Sequence, residues 1–181
     1  MESKTGNDFS NLKDRLLDSI LVMHNDFIKR GIHCDWCSNT IENLLYLSGS
    51  EFGFICEYLK KEDGTPYIKS HGISDIARDE QTRRFYEENK VKGLEFFNFD
   101  SPWGKAITTG RPVISNDPDR EGCRGGYPKE DGHPILTSFL AIPVKGPNGN
   151  VVGVMGVANR PDGYDTKIVE FLSPFVASYG L

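Results

Sequence analysis

Ser138-Phe139-Leu140-Ala141-Ile142-Pro143-Val144-Lys145, Gly146-Pro147-Asn148-Gly149-Asn150 and Val151-Val152-Gly153-Val154-Met155-Gly156-Val157-Ala158-Asn159 follow one another without a break. The two apolar, β-branched runs read as strands, and the Pro/Asn/Gly segment between them reads as a turn. Asn-Gly supplies the positive φ angles that a tight hairpin needs. Gly153 and Gly156 fall inside a strand pattern, which marks close approach of another backbone or side chain. No helix follows them directly, so they are not a dinucleotide-binding fingerprint.

Downstream, Pro161-Asp162-Gly163-Tyr164 is a second turn, and Asp165 caps a helix carrying Ile168, Phe171, Leu172, Phe175 and Val176. Upstream, 116–134 holds four glycines and three prolines among charges and reads as one long loop. It lands on the first strand of the hairpin at Gly132-His133-Pro134, where Pro134 excludes His133 from the helical region. Val113 to Ser115 is a short strand, and Asn116-Asp117-Pro118 after it is an Asx-type turn. Pro102 to Thr109 reads as a short helix with Ser101 as N-cap and Gly110 as its stop.

Nearer the N-terminus, residues 1–8 are expected to be disordered. From Phe9 onward Leu12, Leu16, Ile20, Met23 and Phe27 recur at helical steps, with Gly31 as the stop. Asp35 to Leu47 is a second helix. Phe52 to Leu59 and Tyr67 to Ser74 are strands around an Asp63-Gly64 turn. Asp79 to Lys92 is a charged surface helix, and Phe96, Phe97 and Phe99 cluster after it. The expected organisation is a single domain over 9–181, of α/β (α+β) class, built on an antiparallel sheet.

With 181 residues, 38% of them hydrophobic, the chain has enough apolar material for one core. A net charge of −5 argues against broad attraction to nucleic acid. No apolar run reaches the length of a membrane helix, and Met1 to Asn11 lack a signal-peptide core. The expected setting is therefore cytoplasmic and reducing, with the four cysteines as thiols.

Cys34-Asp35-Trp36-Cys37 has metal or redox spacing, but no second ligand pair exists, and the motif sits between helices; a structural role is favoured. Cys56 in mid-strand reads as a small buried hydrophobe. Cys123 lies beside Arg120 and Arg124, cations that favour a thiolate. His71 reads as a packed or hydrogen-bonded histidine. His133 either faces a pocket or pins the loop, and Asp117 either caps backbone N–H groups or faces a ligand. No P-loop, nucleophile elbow, H-E-x-x-H or EF-hand spacing occurs.

The order of these elements, together with Leu47–Phe54, Thr109–Pro118, Gly132-His133-Pro134 with Ser138–Val144, and Gly153–Arg160 with Gly163-Tyr164-Asp165, resembles the GAF domain, in particular the subgroup of sensor histidine kinases and cyclases. The resemblance implies a six-stranded antiparallel sheet. It places the terminal helices on one face, and loops and short helices over a ligand pocket on the other. It also implies parallel homodimers and a covalently linked effector. The chain ends without a stop signal beyond Gly180, as expected of a segment of a longer protein.

On this resemblance Phe97, Trp103, Tyr127 and His133 would line the pocket for an unknown small molecule, Arg124 would hold an anionic or polar group, and Asp117 would order the loop. No bilin is expected, because Arg124 and not histidine follows Cys123. The cysteines of free methionine sulfoxide reductases are absent near Trp103-Gly104 and from Gly132–Ser138, and no N-K-F-D-E motif occurs. The expected function is a non-catalytic sensory domain. A thiol-dependent reductase using Cys123 and a ligand-free dimerisation module are the alternatives.

Overall fold

The computed structural model describes residues 2–31, 34–75, 80–118, 120–121 and 135–180. In chain order the elements are α1 (Glu2–Arg30), α2 (Cys34–Ser48), β1 (Phe52–Lys60), β2 (Pro66–Ile73), α3 (Glu80–Lys92), β3 (Glu95–Phe96), α4 (Pro102–Thr109), β4 (Val113–Ser115), β5 (Phe139–Lys145), β6 (Val151–Ala158) and α5 (Thr166–Tyr179). The strands form one six-stranded sheet in the order β3-β2-β1-β6-β5-β4. Every neighbouring pair is antiparallel.

Helix α1 begins at Glu2. Once Leu12, Leu16 and Met23 are packed, extending a helix adds one hydrogen bond per residue and needs no new nucleus. The aromatic cluster after α3 contains a two-residue strand, β3, which pairs Phe96 with Ile68 and Glu95 with Lys69. It is too short to show an alternating pattern in the sequence. Of the expected long loop, 122–134 lie outside the described residues.

The β5–β6 hairpin is the centre of the fold. Its turn closes through Gly146 N to Asn150 O (2.9 Å) and Gly149 N to Gly146 O (2.9 Å). Gly149 takes a φ of +76°. The five-residue connection is the one read from the sequence, with a register shift at Val144/Lys145; only Gly149, and not Asn148, takes a positive φ within it. Side chains alternate across the pleat. Leu140, Ile142, Val144, Met155 and Val157 enter one core, and Phe139, Ala141, Val154 and Ala158 enter the other.

The first core is closed by α1, α2 and α5. Trp36 organises it: its indole Nε1–H donates to Met23 O (2.9 Å), and its ring stacks on Tyr179 with centroids 5.1 Å apart. Leu44, Leu172 and Phe175 fill the space between these helices and the sheet. The second core is closed by α4, whose Trp103, Ala106 and Ile107 lie on the sheet. As expected, Ser101 Oγ accepts from Gly104 N (3.1 Å), Pro102 opens the helix and Gly110 ends it at φ +63°. Helix α1 is long, but no described helix is long and apolar enough to cross a membrane.

Phe175 is fully buried at the meeting point of α5 and the sheet. Phe175→Ala is expected to cost about 3–5 kcal/mol of stability, the range for emptying a buried aromatic site. Urea denaturation followed by circular dichroism measures it. A loss under about 1 kcal/mol would mean that α5 is not docked as described.

Candidate functional site

The sheet face opposite the terminal helices is the candidate site. At one end of it a row of side chains crosses four strands through the pairs Ser115–Phe139, Phe139–Ala158 and Ala158–Phe52. The adjacent row runs Val113–Ala141–Gly156–Phe54. Gly156 is required here by space: a Cβ would lie 2.2 Å from Phe54 Cε1, so the phenyl ring lies flat over the bare backbone. Phe54 and Phe139 then stack at 6.2 Å, giving the face an aromatic floor. Trp103 closes the far side, edge-on to Phe96 (6.3 Å) and Phe99 (5.2 Å).

One polar atom interrupts this apolar surface. Ser115 Oγ is buried and has no hydrogen-bond partner among the described residues. An unpaired buried hydroxyl costs about 1–3 kcal/mol, so its presence here calls for a partner beyond those residues.

A polar junction borders the same end of the sheet. Asn159 takes a φ of +60° and is the non-glycine residue that does so among the described residues. Asparagine tolerates that conformation better than most side chains. The side-chain amide donates to Ile135 O (2.9 Å) and Glu51 Oε2 (3.0 Å) and accepts from Thr137 N (2.9 Å). Next to it, Ser138 Oγ donates to Arg160 O (3.2 Å), and Arg160 Nη1 donates to Gly163 O (2.6 Å).

Asn116, just past β4, holds the backbone of Tyr164 at both groups. Its Nδ2 donates to Tyr164 O (2.9 Å), and its Oδ1 accepts from Tyr164 N (2.8 Å). The Tyr164 hydroxyl is buried against Ser50 Oγ at 2.7 Å. Burial pushes its pKa up to about 12, against a smaller opposing effect of that hydrogen bond. One residue on, Asp165 Oδ1 accepts from Ile168 N (3.0 Å) and caps α5 as the sequence predicts.

The expected site residues are placed as follows. Trp103 is buried on α4, over the face just described. Phe97 is exposed beyond β3, where it stacks on Tyr67 (5.6 Å) with Lys61 Nζ 4.4 Å from its ring; its recorded ring partner is Tyr67, whereas those of Trp103 are Phe96 and Phe99. Asp117 caps locally, with Oδ1 accepting from Arg120 N (3.2 Å). Arg124, Tyr127 and His133 lie outside the described residues, as does Cys123.

Other candidate groups have structural surroundings. Cys37 packs in the first core. Cys56 packs under α4, and burial raises its pKa far above that of a reactive thiol. His71 hydrogen-bonds Glu57 Oε2 at 2.9 Å. Among the described residues no group of three or more His, Cys, Asp and Glu is placed to hold a metal. Ser115, Asn116, Phe54 and Asn159 were not singled out as site residues from the sequence. Asn159 carried one usable signal, as an asparagine at the end of a strand before a turn. Ser115 carried none, because its burial without a partner among the described residues exists only in three dimensions.

The GAF domain family model matches residues 37–181. Similar solved structures include the GAF domain of a phosphoenolpyruvate-protein phosphotransferase from Coxiella burnetii, 10% identical with a TM-score of 0.69 over 93% of each chain. Another is the A. aeolicus nlh2 GAF domain in an inactive state, 16% identical with a TM-score of 0.61, covering 94% of this chain and 93% of that one. A third comprises residues 122 to 287 of a methyl-accepting chemotaxis protein, 16% identical with a TM-score of 0.57, covering 90% and 94%. At such identities these likenesses establish the fold. None of the curated proteins matches.

The Tyr164 environment predicts alkaline sensitivity. An unfolded tyrosine ionises near 10.0, while the folded one holds its proton to about 12. Between those values the unfolded chain binds fewer protons, so stability falls as pH rises. Tyr164→Phe is expected to make that fall shallower by about 1–2 kcal/mol. Urea midpoints at pH 8 and pH 11 measure it, and parallel losses in both proteins would refute the assignment.

Proposed function

This chain belongs to the GAF domain family, and on that footing we propose that it is a non-catalytic sensory domain. In this reading it binds a small molecule on the α4 face of its sheet and signals through its terminal helices to a linked effector. GAF domains are commonly sensory or regulatory modules within larger signalling proteins. The observation that carries the ligand part is the aromatic floor of Phe54 and Phe139 beside the hydroxyl of Ser115, which has no hydrogen-bond partner among the described residues. An apolar site with few polar groups is the usual composition of a small-molecule pocket. Trp103, Phe97, Tyr127 and His133 remain proposed lining residues, Arg124 the proposed contact to an anionic or polar group, and Asp117 the residue that orders the loop. A cytoplasmic setting, argued from the polar N-terminal residues and the cysteine usage, belongs to the same reading.

Mass spectrometry of the natively purified protein tests the ligand. The expected result is a small molecule retained near one per chain and lost from Arg124→Ala and His133→Ala. Retention unchanged in both variants would remove those residues from the site. Ser115→Ala separates two roles: deleting an unpaired hydroxyl is expected to leave the melting temperature of ligand-free protein unchanged or higher, while retention of the molecule weakens.

We also propose a homodimer through α1. Leu17, Leu21 and Ile28 are 61%, 60% and 77% exposed. Their spacing places them on one helix face, beside the face that packs on the domain. Leu21→Glu is expected to turn a dimer into a monomer in sedimentation equilibrium, with unchanged circular dichroism. A wild-type chain that is monomeric at high concentration would refute the dimer.

A further inference from the structure

The turn at 159–164 touches more of the chain than its position implies. It follows β6 and leads into the Asp165 cap of α5. At one end Asn159 holds Ile135 and Thr137, just before β5. At the other end Asn116, just after β4, holds Tyr164 through both its backbone groups. Residue 116 opens the connection between β4 and β5, and residues 135–137 belong to its last stretch before β5. Both ends are therefore fastened to one six-residue turn, and that turn positions the first residue of α5.

The turn is internally braced. Arg160 accepts at its carbonyl from Gly163 N (2.9 Å) and donates through Nη1 back to Gly163 O (2.6 Å). It is braced externally as well: Ser50 meets Tyr164, and Glu51 meets Asn159, so the α2–β1 junction contacts the same turn. Gly163 has a φ of +67°, and a Cβ there would lie 2.6 Å from Asn116 Oδ1. The close fit between Asn116 and the turn thus depends on glycine at that position.

We propose that the 159–164 turn is a coupling latch: the Asn116 and Asn159 clamps make the two ends of the β4–β5 connection and the first turn of α5 open and close as one unit. Hydrogen bonds that share a short, rigid segment act together, because loosening one frees the backbone that the others need. A molecule bound beside Ser115 and Phe139, the neighbours of Asn116 and Ser138, would then alter the stability of the start of α5. The purpose assigned to the latch rests on the sensory reading. Its test requires no ligand, so the latch and the sensor can fail independently.

Hydrogen–deuterium exchange on the whole chain provides the test. Asn159→Gly keeps a residue that accepts positive φ and removes only the side-chain clamp. It is expected to speed exchange by about fivefold or more, the low end of site-to-site coupling, at residues 114–117 and at 168–170. Asn159 makes no recorded hydrogen bond to either stretch. Reciprocally, Asn116→Ala is expected to speed exchange at 137–140. Amides of β2, at 67–70, serve as the control for global unfolding and are expected to stay unchanged. If Asn116→Ala does not fold, Asn116→Asp, which keeps the acceptor and removes the amide donor, is read in the same way. Changes confined to the residues each clamp touches, or rising equally in β2, would overturn the proposal.

Discussion

Burial of both faces of the β5–β6 hairpin is the constraint on which the rest of the molecule depends. A two-stranded ribbon of Val, Ile, Leu and Met cannot stand in water with either face exposed. One face needs a broad cover, supplied by α1, α2 and α5 gathered around Trp36. The other needs a smaller cover, and α4 supplies it with Trp103, Ala106 and Ile107. Strands β1 and β4 extend the same two surfaces outward on either side. Three helices therefore cover one face and one short helix the other, whose end carries Ser115, Phe139, Ala158 and Phe52.

At that end of the sheet β4 and β6 finish and β5 and β1 begin. Backbone groups at strand ends lose their ladder partners and must find others. Here asparagine side chains provide them, since an amide both donates and accepts. Asn116 and Asn159 each satisfy backbone groups from a different segment. The same need for satisfied backbone that stabilises the fold thus ties this end of the α4 face to the start of α5. Tyr164 adds weight to the junction, with its ring buried and its hydroxyl held by Ser50.

Local rules carried much of this into the sequence. Asp165 and Ser101 cap helices because short acceptors at those positions satisfy free N–H groups, and both act as read. Gly110 ends α4 for an equally local reason. The hairpin, the Asp63-Gly64 turn and the strand boundaries are legible because apolar runs and turn residues alternate clearly. The reading that changed depends on neighbours: strand β3 exists because Phe96 meets Ile68.

The sequence by itself determined the elements other than β3, their order and the two-faced apolar character of the central strands, since those follow from residue type and spacing along the chain. It also brought forward Trp103 as an aromatic on the face opposite the terminal helices. Only the tertiary structure decided that Gly156 yields its space to Phe54, that Ser115 is buried without a hydrogen-bond partner among the described residues, and that Asn116 and Asn159 meet one turn from opposite ends. Each of these is a relation between residues distant in sequence, and periodicity carries no information about which distant atoms are left without a hydrogen bond or a cavity wall. Phe97 shows the same limit: that it stacks on Tyr67 beside Lys61 is a relation between residues distant in sequence.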